Sequence, residues 1–258
     1  MEFWSAAWAD ISPAQYVAIA IIVIVGGVVR GATGFGGAMV MTLPLSLIFR
    51  PAEAIITVLL LELAGPVGLL RYALKTIVDS PGAKRTLGTI ALSALAVLPL
   101  GIALQTYLDR QSITLFMATA VLICALALIL QIPRHLQPTT TRASAAGITS
   151  GLMLALTGIC GPPVVLYVHA SESNHHLARS LLMLYITGAS VVMVIMTAVA
   201  QSVGILPFIY ALALTPVFFM GNLIGHRVTT RVKGATIRLA ALWLLVAGST
   251  VYLAKTLL

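Results

Sequence analysis

Charge is what this sequence has little of. Only 9% of its 258 residues are Asp, Glu, Lys or Arg, while 60% are hydrophobic. A soluble globular domain carries about 25% charged residues. One large water-soluble core is therefore excluded, because nothing polar is left to cover it. Cysteine is scarce as well. Cys124 and Cys160 both lie in apolar runs, with no metal-ligand spacing and no disulfide framework. There is no H-E-x-x-H metal motif, no aspartate pair at membrane depth and no serine with a plausible base. An intramembrane enzyme would have no chemistry to use. Nothing resembles a nucleotide-binding motif, so no cofactor and no direct use of ATP is expected. The opening MEFWSAAWADIS carries Glu2 and Asp10 but no basic residue. A secretory signal needs a positive start, so the first apolar run is expected to stay in the mature chain.

What the sequence does have is long apolar stretches. Runs of roughly 20 apolar residues recur from residue 14 to the C-terminus, each long enough to span a bilayer. Hydropathy and helix breakers divide the chain into two repeats, 1–132 and 133–258, of five segments each. In the first repeat the segments are 14–30, 37–49, 52–74, 83–108 and 112–132; in the second they are 143–157, 161–171, 177–200, 203–228 and 235–257. The predicted fold is all-α and polytopic, with the repeats forming one transmembrane domain. The second segment of each repeat has only 13 or 11 residues. At ~1.5 Å per residue neither crosses a hydrocarbon core of ~30 Å. Both readings of the hairpins so formed, re-entrant or fully spanning, satisfy the parity of crossings.

The net charge of +8 does not indicate nucleic acid, because the basic residues are scattered over short loops. Such residues set orientation in the membrane. The loop 71–85 is basic and its counterpart 200–204 is not; the next pair reverses this, with 227–238 basic and 109–111 nearly neutral. Alternation of this kind is expected of two repeats inserted in opposite senses. With 71–85 inside, eleven residues fall inside: Arg71, Lys75, Lys84, Arg85, Arg134, Arg142, Arg179, Arg227, Arg231, Lys233 and Arg238. Three, Arg50, Arg110 and Lys255, fall outside, and Arg30 remains at a hairpin tip. Both termini are then expected outside.

Each short segment follows a glycine-rich break. GATGFGGAMVMTLPL (31–45) and LTGICGPPVVLYVHA (156–170) are related by a shift of 124, which puts Thr33 on Thr157, Gly34 on Gly158 and Gly37 on Gly161. Non-helical backbone inside a bilayer survives only when buried in protein or lining a cavity. Glycine permits positive φ and close approach of a ligand. A short helix then starts near Gly37 and another near Pro162, where a proline suits the first turn. Two helix starts facing each other near the midplane would offer free N–H groups and partial positive charge to a small anion. The other reading is close helix packing by small residues.

These two stretches, with LARSLLMLY (177–185), resemble the TauE/SafE sulfite exporter family of membrane transporters. The resemblance covers nearly the whole chain, including the two-repeat layout. Ala38 and Cys160 stand where that family often carries glycine. The resemblance implies a secondary transporter in the bacterial inner membrane, with periplasmic termini under the charge map above. It also implies a small sulfur-containing anion as substrate, such as sulfite or a sulfoacetate- or taurine-type organosulfonate, moved outward. The alternatives are a passive anion channel, or a carrier of another small carboxylate or oxyanion. A proton or other ion is a candidate coupling partner, and a homodimer is compatible with the sequence.

The predicted substrate-binding residues are Arg30, Thr33, Gly34, Phe35, Gly36, Gly37, Thr157, Gly158, Cys160, Gly161, Pro162 and Tyr167. Arg30 lies at membrane depth, where a charge points to function; its repeat equivalent is Leu154. Glu62, amid VLLLELAG, could pair with Arg30 or carry a coupling proton. His169 and Arg179 are further coupling candidates, although both also suit the inner water layer.

Orientation is open to direct measurement in a background lacking Cys124 and Cys160. Cysteines placed at Ser112 and Ser202 should react with an impermeant thiol reagent from outside, and one at Ser80 should not. Equal labelling of Ser80 and Ser202 from one side would rule out oppositely inserted repeats.

Overall fold

The computed structural model describes residues 11–33, 36–66, 70–130, 137, 139–172, 174–200, 204–229 and 234–257. Among these residues every regular element is a helix. The first repeat contributes α1 (Pro13–Thr33), α2 (Gly37–Ile48), α3 (Pro51–Ala64), α4 (Leu70–Val78), α5 (Pro81–Tyr107) and α6 (Arg110–Leu130). The second contributes α7 (Thr140–Thr157), α8 (Gly161–Ser171), α9 (His175–Ala200), α10 (Leu206–Thr229) and α11 (Gly234–Leu257). Five helices, α1, α5, α6, α9 and α10, are long and apolar enough to cross a membrane. The chain is therefore a multi-pass membrane protein.

Local chemistry sets the boundaries. Prolines occupy the first turns of α3, α5 and α8, where the missing N–H has no helical partner to lose. Thr139 caps α7 by accepting from the Arg142 N–H at 3.4 Å. Helices α2 and α8, of 12 and 11 residues, rise only ~18 and ~17 Å. Neither reaches across a bilayer. The segment expected to run unbroken over 52–74 is divided instead, α3 stopping at Ala64 and α4 starting at Leu70. Gly65 and Pro66 cause this, because proline inside a helix removes a hydrogen bond and clashes with the preceding turn. The position 124 residues on is Ser190, and α9 runs through it without interruption.

The two repeats interlock. Helix α1 packs most extensively on α10, and α5 on α7; in each pair the first helix of one repeat meets the fourth long segment of the other. Exchange of the repeats leaves the pairing unchanged, and α6 against α11 maps onto itself. Glycine makes both seams close. A Cβ on Gly27 would stand 2.5 Å from Phe218 O, and one on Gly151 would stand 2.6 Å from Ala94 O. A Cβ on Gly225 would stand 2.1 Å from Val28 O, and one on Gly101 would meet Ala155 Cβ at 2.3 Å. The glycine pairs 27/151 and 101/225 obey the shift of 124, as do the carbonyl partners Ala94 and Phe218. The shift of 124 therefore relates packing positions as well as the break motifs. Small residues do this work in a bilayer, where lipid tails give helices no hydrophobic reason to associate.

Arg110, expected to mark a loop, has a structural task. Its Nη2 donates to the carbonyls of Ser46, Leu47 and Phe49 at 3.0 to 3.2 Å and so caps the C-terminus of α2.

Gly225→Leu should force the α1–α10 seam apart at a cost of about 1–3 kcal/mol, visible as a lower melting temperature of the purified protein. Gly88→Ala, where nothing lies within 4 Å of the added carbon, should melt at or above the wild-type temperature.

Candidate functional site

Both glycine breaks line one cavity. Its walls are Arg30 from α1; Gly36, Ala38 and Met39 at the start of α2; Leu59 and Glu62 from α3; Gly158 to Pro162 from the second break; and Ile186 and Ser190 from α9. The free volume is about 20 Å³, enough for a water molecule but too small for a polyatomic anion. The walls are mostly apolar.

The two breaks use different backbone solutions. In the first, Gly36 has φ +87° and precedes α2 directly. In the second, Gly158 has φ +73° and closes α7, while Cys160 at φ −99° precedes α8. Both glycines sit in the left-handed region that other residues avoid. Cys160 does not, so the break needs no glycine there. The left-handed residue is thus shifted by two positions between the repeats.

A chain of hydroxyls holds the second break together. Tyr185 donates to Ser150 Oγ at 2.8 Å, and Ser150 donates to the Cys160 carbonyl. Thr157 donates to Met153 O at 2.7 Å and accepts the Ile159 N–H at 3.2 Å. The Gly158 N–H bonds back to Leu154 O at 2.8 Å. With Pro162 and Pro163 lacking N–H groups, the first turn of α8 has little left to offer a ligand. The first turn of α2 carries the N–H groups of Gly37, Ala38 and Met39, and no side chain caps it. The free N–H groups expected equally at both helix starts are concentrated at α2.

Arg30 and Glu62 form a buried ion pair, Nε to Oε2 at 3.2 Å, with side chains 7% and 4% exposed. Among the described residues Glu62 Oε1 has no hydrogen-bond partner. It rests where a side chain on Gly37 would go, since a Cβ there would lie 2.3 Å from it. Gly37 is a glycine because the carboxylate fills that space. Gly161 differs, with no atom closer than 3.8 Å to an added Cβ. Ser190, 1% exposed, also has an unpartnered hydroxyl and lines the cavity.

Of the predicted site residues, Arg30, Gly36, Gly158, Cys160, Gly161 and Pro162 meet here, with Glu62 among them. Gly37 stands behind Glu62, and Thr157 turns its hydroxyl to its own break. Tyr167 lines a different cavity. His169 and Arg179 are exposed beyond it. Thr33 ends α1, and Gly34 and Phe35 lie outside the described residues. Sequence reasoning missed Ser190, Leu59 and Ile186. Ile186 is the repeat equivalent of Glu62 and Ser190 that of Pro66, so the shift of 124 could have found both. Among the described residues no cluster of His, Cys, Asp or Glu could hold a metal ion.

The family model of the TauE/SafE sulfite exporters matches residues 18–252. The chain belongs to that family. No curated protein and no solved structure matches it.

The ion pair should dominate the stability of this region. Arg30→Gln leaves a buried carboxylate uncompensated and should cost about 3–5 kcal/mol. Adding Glu62→Gln should restore part of the lost melting temperature. A double variant no more stable than Arg30→Gln alone would show that the two side chains are not energetically coupled.

Proposed function

We propose that this TauE/SafE protein is a secondary transporter that exports a small sulfur-containing anion, either sulfite or an organosulfonate of the sulfoacetate or taurine type, across the bacterial inner membrane. It works by alternating access around the central cavity. One observation carries this reading: a buried arginine, an uncapped helix start and a hydroxyl with no partner among the described residues line one cavity to which both glycine breaks contribute. Guanidinium and backbone N–H groups suit the oxygens of a sulfite or sulfonate.

The carboxylate of Glu62 occupies the place on Arg30 that such an oxyanion would take. Because the cavity has room only for water, the anion enters by displacing Glu62. A displaced carboxylate in a dry site needs a new partner, and a proton arriving with the anion is the simplest one. Glu62 is then the coupling group. A divalent anion leaving with one proton carries one negative charge outward. An inside-negative potential drives that movement with roughly 2.3 kcal/mol per 100 mV. The reversed basic loops and the matched glycine seams support two repeats of opposite insertion, with both termini in the periplasm.

Sulfite, thiosulfate, sulfate, taurine, isethionate and sulfoacetate, added singly to purified protein, should separate binders from non-binders by thermal shift. Gly161→Val should remain monodisperse and bind the active anion at least tenfold more weakly, because its side chain enters open cavity space. In proteoliposomes an inside-negative potential should speed efflux, and Glu62→Gln should flatten the pH dependence of the rate. A shift with an unrelated anion class and none with any sulfur oxyanion would overturn the substrate. Flux that never saturates with substrate would indicate a channel.

A further inference from the structure

A second cavity of about 260 Å³ opens where α5 and α7 begin. Its walls include Arg85, Thr86 and Thr89 of α5, Thr139 and Thr140 at the head of α7, and Tyr167 from α8. We infer that this cavity is a vestibule that binds the oxyanion before it reaches the central site. That the vestibule holds a small oxyanion stands on its own geometry; that the oxyanion is the transported one rests on the function proposed above.

Four observations converge. First, two helix N-termini meet here, and no side chain caps that of α5, so its Gly82 and Ala83 N–H groups add partial positive charge. Second, the charged residue of the lining is Arg85, and no acidic residue joins it. Third, Tyr167 is 5% exposed, buried in a wall of the cavity, and its hydroxyl makes no hydrogen bond within the described residues. The ring is held in the wall while the hydroxyl is not one of the sealed, unpartnered atoms of the interior, so it is left open to a ligand or water in the cavity. Fourth, the repeat supplies a comparison. The positions 124 residues on from Gly82, Arg85 and Thr86 are Leu206, Ile209 and Tyr210. These pack with Ile19 and Phe49 into an apolar cluster, Phe49 and Tyr210 stacked at 4.5 Å. The same space is plugged with hydrocarbon in one repeat and lined with hydroxyls and an arginine in the other.

Helix α8 connects the two cavities. Its first residues, Gly161 and Pro162, line the central cavity, and Tyr167 lines the vestibule. Six residues of helix separate them by ~9 Å. An oxyanion released by Tyr167 and Arg85 is about one short step from Arg30. By the charge map, this end faces the cytoplasm, the side from which an exported anion comes.

The test is calorimetric titration of purified full-length protein with sulfite and, separately, sulfate, alongside measurement of bound lipid phosphorus. Wild type should bind two anions. Arg85→Gln combined with Tyr167→Phe should lose one of them, or weaken it at least tenfold, and should raise the KM for transport about tenfold with little change in maximal rate. Arg30→Gln should lose the other. If wild type binds a single anion, with unchanged affinity in the vestibule variants and lost with Arg30→Gln, the vestibule site is wrong and the transport reading stands. If the reverse holds, the vestibule stands and the central site is wrong. Loss of bound lipid phosphorus in the vestibule variants, with both anions still bound, would assign the cavity to a lipid headgroup and overturn the proposal.

Discussion

Hydrocarbon offers no hydrogen bonds, and every polar group in this protein that lies away from its loops must be satisfied from within. Most of the chain meets that demand by being helical. The two breaks cannot, and the residues around them follow from that. The second break is closed by its own neighbours, with Ser150 and Thr157 supplying hydroxyls to backbone that would otherwise be orphaned and Tyr185 donating to Ser150. The first is closed at its edge by an ion pair, with the start of α2 left uncapped. One break is self-sufficient, and the other leaves free N–H groups at a helix start.

The correspondence at a shift of 124 is thus approximate around the cavity, where the proposed function would place the anion. Arg30 corresponds to Leu154, Glu62 to Ile186 and Pro66 to Ser190. The seams, by contrast, match down to the carbonyl that each glycine approaches. Packing tolerates a symmetric answer because the two seams solve one problem twice. Under the proposed function, a single anion would not face two identical half-sites carrying full charges, since two buried ion pairs would double the desolvation cost around one small cavity. Placing the charge in one repeat and apolar residues in the other limits that cost.

Much of the architecture was legible in the sequence because length and hydropathy are strong signals in a membrane chain. The short arms and the breaks followed from residues 31–45 and 156–170, and the family from these together with 177–185. Arg30 and Glu62 stood out because a charge amid leucines is rare. The break after Ala64 was missed although Gly65 and Pro66 are visible, because the apolar run continues across them. The task of Arg110 was hidden because its carbonyl partners lie 61 to 64 residues away. That Tyr167 lines a different cavity from Gly161 and Pro162 was not legible, because α8 is long enough for its two ends to belong to different places. The sequence could not say that Gly37 makes room for a carboxylate rather than for a ligand, since both uses ask for a missing side chain.

The seams also set a timetable for synthesis. Arg30 meets Glu62 within 32 residues of chain, so its charge is neutralised early, inside the first repeat. The glycine face of α1 has to wait for α10, 194 residues separating Gly27 from Gly221. At roughly 5–20 residues per second that delay is about 10–40 s. Through that interval α1 sits in the membrane with a bare stripe of backbone and no partner, exposed to any other helix that presents small residues. The nascent first repeat is therefore the vulnerable species in the life of this protein, and its protection falls to whatever shelters half-made membrane chains at the site of insertion.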